Sequence, residues 1–371
     1  MKMITIKPFV KARCVLRRSA KKMKKTLAIL ILLSSFAYAD DLESLDLLNN
    51  RLNVSMPKGS KNEARGHNIM AAPEANESET RLVFEDGEKK LVVMAWELFR
   101  RAGVTYKEEA PKALKQWSKS ESTSFKISTV GEHITLGTPK EPNEEDDAIL
   151  YVAAFVQHDD GTIQRVAVYF NPEFHKTPDH CADLAKKIVE SIKAGKRSLD
   201  LRAGERNLDI LNVGLQMTVS VPEGWTYTTQ QGVDFIVHNL QEVSEFGSSS
   251  ASIGVYIGGH PGYDHSRIDE DELIKRTRKA PLFGKPQEWI EYSTKDFEGW
   301  KGLEIISGVP GIDNYWKTHI FTGGANDKQR DQLLKIVSTA KIKKRAEQGG
   351  ADQPATDPES KPEGEEKPKP E

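Results

Sequence analysis

The chain states nearly the same pattern twice, and that limits what it can fold into. The run Leu52-Asn-Val-Ser-Met-Pro-Lys-Gly59 returns as Met217-Thr-Val-Ser-Val-Pro-Glu-Gly224. Later, Lys187-Ile-Val-Glu-Ser-Ile192 returns as Lys335-Ile-Val-Ser-Thr-Ala340. The offsets are 165 and 148 residues, and the two matches come in the same order. Ordered matches predict two related domains of ordinary size rather than a chance motif.

Both ends read as separable. Residues 1–39 hold ten Lys or Arg and no Asp or Glu. Thr26 to Phe36 is an apolar run of signal-peptide length, too short to span a bilayer, and Ala37-Tyr-Ala39 offers a cleavage site. Met23-Lys-Lys-Thr would serve as a start by itself. Cleavage before Asp40 leaves 43 of the 53 basic residues against 55 acidic ones, a net charge of −12. That balance argues against nucleic acid or an anionic membrane as a partner. The mature chain keeps one cysteine, Cys181, so no internal disulfide forms, and two domains of this size hold themselves by burial. From residue 346 to 371 five prolines lie among Glu, Lys, Gly and Asp with no aromatic residue and no Val, Ile, Leu or Met, the composition of a disordered tail.

Between the ends, strands dominate. Leu215 to Val221 alternates apolar and polar residues, and Pro222-Glu-Gly224 turns the chain before Trp225. Val233 to His238, Ala251 to Ile257, Trp289 to Tyr292, Trp300 to Ile306 and Asn314 to Phe321 read as further strands. Asp269 to Lys279 carries acids first and bases last, which predicts a helix aligned with its dipole. A final helix starts at Asp327. In the first copy, Arg81 to Asp86 and Lys90 to Ala95 read as strands, the second able to run into a helix through Arg100. Ile149 to Val156 and Ile163 to Phe170 flank Asp159-Asp-Gly161, a hairpin signal. Cys181, Leu184, Ile188 and Ile192 form a helical stripe. The fold class expected is α+β: two tandem related domains, each a mostly antiparallel sheet packed with helices. The boundaries are 1–39 signal peptide, 40–197 first domain, 198–208 linker, 209–345 second domain and 346–371 tail.

The strand ending in Val221-Pro-Glu-Gly-Trp225, followed by a Val-Asp-Phe strand, a sheet and a C-terminal helix, resembles the Mog/PsbP-like fold. That superfamily includes exported bacterial proteins and lipoproteins of the DcrB and LpqN types. The resemblance covers most of 211–342 and, less closely, 46–193, where Ser60 stands in place of Trp225. It implies a sandwich fold and binding or assembly roles, with no catalytic set to carry over.

The residues point the same way. There is no G-x-S-x-G, no phosphate-binding glycine loop and no H-E-x-x-H, and nothing calls for a cofactor. His175 with His180, and His260 with His265, are spaced i, i+5, about 140° apart on a helix, which is poor metal-ligand geometry. They read as loop histidines. Cys181 beside His180 fits the apolar stripe better than a nucleophile. The acids of 141–147 and 269–272 lack calcium-loop spacing. Aromatic residues concentrate in the second copy. Trp300, Tyr315 and Trp316 are the candidate ligand- or partner-binding residues, because Tyr315 and Trp316 on a strand would face opposite sides.

The expected function is an exported, periplasmic or extracellular, non-catalytic binding or assembly module of the cell envelope. Its partner would be a protein or a small ligand, and no membrane span remains after cleavage. The alternative is a hydrolase with a site between the domains, gathering groups such as His238, His260 and His319. Three or more histidines and carboxylates meeting within hydrogen-bond reach would count against the binding-module reading.

Overall fold

The computed structural model of the chain describes residues 41–63, 77–142, 147–210, 213–296, 301–312, 315–323 and 326–345. The expected signal segment, the expected tail and Trp300 lie outside these residues.

The N-terminal half opens with β1 (Leu42–Leu47) antiparallel to β2 (Leu52–Pro57), and the short β10 (Lys193–Ala194) pairs on the far edge of β2. Between them the chain lays down β3 (Lys61–Asn62), β4 (Glu79–Asp86), β5 (Lys89–Arg101), β6 (Phe125–Val130), β7 (Ile134–Pro139), β8 (Ile149–Gln157) and β9 (Thr162–Phe170). These form one sheet in the order β3-β4-β5-β9-β8-β7-β6. Helix α1 (Tyr106–Ser120) joins β5 to β6, and α2 (Pro172–His175) and α3 (Pro178–Glu190) follow β9.

The C-terminal half repeats the plan. Strands β11 (Gly204–Asp209) and β12 (Leu215–Val221) pair antiparallel, and β21 (Lys341–Lys344) closes on β12. Within that frame come β13 (Trp225–Gln231), β14 (Phe235–Glu242), the two-residue β15 (Ser244–Glu245), β16 (Ser252–Gly258), β17 (Leu273–Leu282), β18 (Lys285–Thr294), β19 (Gly302–Gly308), β20 (Lys317–Gly323) and α4 (Asp327–Val337). The large sheet runs β13-β14-β16-β20-β19-β18-β17. With β15 set aside, the two large sheets visit their strands in the same order. The chain is therefore sheet-rich and mostly antiparallel, with few helices.

Each small sheet and its closing helix cover one face of a large sheet. In the N-terminal half, Leu52, Val54 and Met56 of β2 meet Leu184, Ile188 and Val189 of α3 over Leu91, Val93, Val166 and Val168. In the C-terminal half, Met217, Val219 and Val221 meet Leu333, Ile336 and Val337 over Ile253, Val255 and Ile320. Trp225 and Trp289 are buried there, each worth several kcal/mol on truncation. The turn after β2 and the turn after β12 both need a glycine, since Gly59 and Gly224 sit at φ +89° and +87°.

The halves differ on the other face of the large sheet. In the N-terminal half α1 lies there, with Tyr106, Ala110 and Leu114 against Leu150, Phe155 and Ile163. Strand β8 is consequently buried on both faces, which explains its unbroken apolar run. In the C-terminal half the same connection, between β16 and β17, carries only a short 3-10 turn at Asp264–Arg267.

Two elements differ from the sequence expectation. Asp269 to Lys279 is not a helix, because Leu273–Leu282 is the edge strand β17. The two-residue turn Phe283-Gly284 has φ +51° and +71°, the geometry of a tight hairpin that forces antiparallel pairing with β18. The acid-first, base-last order is therefore a strand-edge charge pattern, and Pro281 suits an edge. The run from Lys90 does not turn helical at Trp96. It stays in β5 for 13 residues because it pairs with β4 on one side and β9 on the other.

The two halves touch through the loop after β14. Strand β15 adds in parallel to the end of β5, pairing Ser244 with Arg100 and Glu245 with Arg101. Phe246 donates its N–H to the Arg101 carbonyl at 2.9 Å and sets its ring against Phe155 at 5.2 Å. Val243 joins Phe99 and Leu199 in a small buried cluster beside it.

Candidate functional site

A set of titratable groups converges on the open face of the second large sheet. Glu304 of β19 and His319 of β20 point to that face, and the 3-10 turn brings His265 over them. His319 Nε2 lies 2.6 Å from one carboxylate oxygen of Glu304, and His265 Nδ1 lies 2.7 Å from the other. The backbone N–H groups of Asp264 and His265 donate to the same carboxylate at 2.8 and 3.0 Å. Burial pushes the Glu304 carboxyl up, but the donors from His319, the two backbone groups and His265 outweigh it and hold its pKa down at about 2.

Three groups thus meet, the number that would favour catalysis. Their arrangement does not. The Glu304 side chain is fully buried, its two oxygens each accept two hydrogen bonds, and the site is capped by Tyr263. A carboxylate so saturated has no lone pair to offer a substrate proton. The cluster pins the 259–268 segment to the sheet. The other two histidines are elsewhere. His238 is buried, bonded to Thr229 Oγ1 at 2.9 Å and to the Asp209 carbonyl at 2.8 Å, and burial pushes its pKa down to about 4. His260 is exposed beside Tyr315, 6.1 Å away.

The N-terminal half holds a comparable closed network. Arg51 is fully buried and donates to Glu97 at 2.6 Å, Asp160 at 2.8 Å, Thr162 at 2.5 Å and the Arg197 carbonyl at 3.2 Å. Asp160 also accepts from the Leu199 N–H at 3.0 Å. Burial acts to raise the Asp160 carboxyl, but hydrogen bonds from His158, Arg51 and Thr162 hold it well below the usual range. This network ties the connecting segment to the first half. Arg206 ties it to the second, donating to the carbonyls of Arg202 at 2.6 Å and Trp225 at 3.3 Å.

Two cavities lie along that connection. One of about 660 Å³ is lined by 198–203 and Glu223. The other, about 400 Å³, is lined by Asp200, Arg202, Glu205, Arg206, Asn207, Thr226 and Tyr227. Asp200 and Arg202 pair with each other at 2.9 Å. Their linings carry Asp200, Glu205 and Glu223 together with Arg202 and Arg206.

Of the aromatic candidates, Tyr315 is 53% exposed. It stands before β20, not on it, so the expectation of opposite-facing neighbours fails: Tyr315 and Trp316 meet edge to face at 6.0 Å. Trp316 packs half-buried on the core of the second half. Tyr315 also lies over Gly259, where a Cβ would come within 2.6 Å of its ring. Nearby, Phe235 stacks on Tyr256 at 5.6 Å, and Val233 at the hairpin tip is fully exposed. The ends of β14, β16 and β20 thus carry an aromatic rim. Cys181 is buried in its helical stripe, and burial pushes its thiol up to about 11.

Sequence reasoning passed over Glu304, Arg51 and Arg206. Their partners lie between 4 and 146 residues away and no local spacing marks them. Of the histidines at Glu304, His319 was named for a cleft with His238 and His260, which the structure keeps apart, and His265 for a pairing with His260 that the structure does not make.

No protein-family profile matches the chain, and no curated protein matches it in sequence. Among solved structures it is similar to the crystal structure of the Tle4-Tli4 complex, with 9% identity over 82% of this chain and 98% of that chain, at a TM-score of 0.21. It is also similar to the apo structure of immunity protein TplEi of T6SS from Pseudomonas aeruginosa, with 10% identity over 81% of this chain and 97% of that chain, at a TM-score of 0.20. Among the described residues no helix is long and apolar enough to cross a membrane.

Proposed function

We propose that the chain is an exported, non-catalytic binding module of the cell envelope, made of two tandem related domains of Mog/PsbP-like type, and that its partner is a protein. The observation that carries this is the closure of Glu304: among the described residues, the cluster where His265, His319 and a carboxylate converge is sealed and its oxygens are spent on internal donors. What the second half presents outward is the rim of Tyr315, Tyr256 and Phe235, aromatic types enriched at protein interfaces, with Val233 exposed beside them. Export rests on the basic, then apolar, then small-residue order of residues 1–39. The matching strand order of the two large sheets supports duplication of a whole scaffold.

The test uses the mature chain, residues 40–371, as bait against an envelope extract of its own host, with Tyr315→Ala/Val233→Asp as the control. The reading expects a retained protein that the double variant loses while its melting temperature is unchanged. Retention that ignores the substitutions, or no retained protein, counts against it.

A further inference from the structure

A second outward group lies on the open part of the first large sheet. Trp96 of β5 and Arg165 of β9 are register partners, and Trp117 of α1 leans over both. The two indoles stand nearly perpendicular, 84° apart with centroids 6.3 Å apart. The Arg165 guanidinium carbon sits in their corner, 4.1 Å from the Trp96 ring centroid and 4.7 Å from that of Trp117. Each ring is fixed by a carboxylate. Trp96 Nε1 donates to Glu79 at 3.1 Å, and Trp117 Nε1 donates to Glu121 at 2.9 Å.

Arg165 itself is half-buried, and among the described residues no acceptor takes a hydrogen bond from it. Its Nε is shut from solvent without a partner. Burial pushes its pKa down, opposed by Tyr169, Glu121 and Glu79. A half-desolvated guanidinium held in the corner of two fixed rings, with no hydrogen-bond acceptor among the described residues, is an expensive group to leave alone. Elsewhere in this chain buried arginines are used: Arg51 makes four hydrogen bonds and Arg206 at least two.

We propose that Arg165, in its corner of Trp96 and Trp117, is the docking point for an acidic side chain of a protein partner. The fork geometry matches a planar carboxylate in two parallel hydrogen bonds. Glu79 and Glu121 stand close by, but each is bonded to an indole N–H and not to the guanidinium. The flanking indoles exclude water around the pair, the condition under which a single arginine dominates an interface. This rests on the binding-module reading and names the partner's contact group.

The test reads the indoles directly. The mature chain labelled with 5-fluorotryptophan carries six reporters, assigned by single Trp→Phe variants. It is titrated with N-acetylglutamate N-methylamide and with the corresponding glutamine compound. The glutamate probe is expected to shift the Trp96 and Trp117 signals saturably, and the glutamine probe not at all. R165K keeps the charge but loses the fork, and is expected to weaken the glutamate effect about tenfold. The other tryptophan signals report that this variant is folded. No saturable shift, equal shifts from glutamine, or undiminished binding in R165K each overturns the proposal. A failure here leaves the Tyr315-dependent retention untouched, and a failure of that retention leaves the carboxylate titration untouched, so the two readings fall separately.

Discussion

The backbone N–H of Ser55 donates to the hydroxyl of Ser191 at 2.8 Å. This bond laces the middle of β2 to the end of α3. The C-terminal half makes the same bond with different residues: the Ser220 N–H donates to Thr339 Oγ1, also at 2.8 Å. Both hydroxyls in turn donate to the carbonyl three residues back, Ile188 and Ile336, at 2.6 Å. The two runs that repeat in the sequence are therefore the two sides of one tertiary contact.

Removing either hydroxyl leaves a strand N–H without its acceptor. Ser191→Ala and Thr339→Val are each expected to cost about 1 kcal/mol in urea unfolding. The sites lie in separate cores, so the double variant is expected to cost the sum within about 0.5 kcal/mol. A strongly non-additive result would mean that the two contacts are coupled.

His238 sets a pH dependence. Its pKa falls from 6.5 to about 4 on folding because it is buried. Between those values the unfolded chain binds the proton and the folded chain does not, so stability is full above pH 6.5 and declines as pH falls toward 4. The contribution is at most about 3 kcal/mol. Urea midpoints at pH 7.5 and pH 5 check it, and His238→Gln is expected to flatten the difference. Glu304 acts lower: its depressed pKa adds stability that is present above its ordinary 4.5 and lost as pH drops through about 2.

Glu304→Gln keeps the shape but replaces an acceptor oxygen with an N–H₂ facing donors. It is expected to cost about 3 kcal/mol and to unlock the 3-10 turn. Hydrogen exchange at the Asp264 and His265 amides should accelerate well beyond that of the β19–β20 amides. Uniform acceleration across the sheet would contradict a local clamp.

Phe246 tests the joint between the halves. Its truncation to Ala is expected to cost about 2 kcal/mol and to separate one unfolding transition into two. A single transition with unchanged cooperativity would mean that the Arg51 and Arg206 ties hold the halves together without it.

The sequence carried the parts of this fold whose signals are local. The duplicated strand and helix, the hairpin at Asp159-Asp-Gly161, the Cys181 stripe and the turn at Gly224 could all be read from a few adjacent residues. Strand β17 was misread because its charge order mimics a helix dipole, while the signal against it, Phe283-Gly284 with Pro281 and Pro286, lies at its far end. The sites were least legible. Arg51 and Asp160 are 109 residues apart, His265 and Glu304 are 39 apart, and Trp96 meets Arg165 only through sheet register. Sheet pairing brings such residues together, and no spacing in the chain announces it.

The central claim is that the buried polar clusters are structural and that the chain binds rather than catalyses. Turnover of the purified mature chain on ester, phosphodiester, glycoside and peptide substrates, run beside its Glu304→Gln variant, tests this most directly. The account predicts rates at the buffer background for both proteins. Turnover by the unmodified chain that Glu304→Gln abolishes would contradict it.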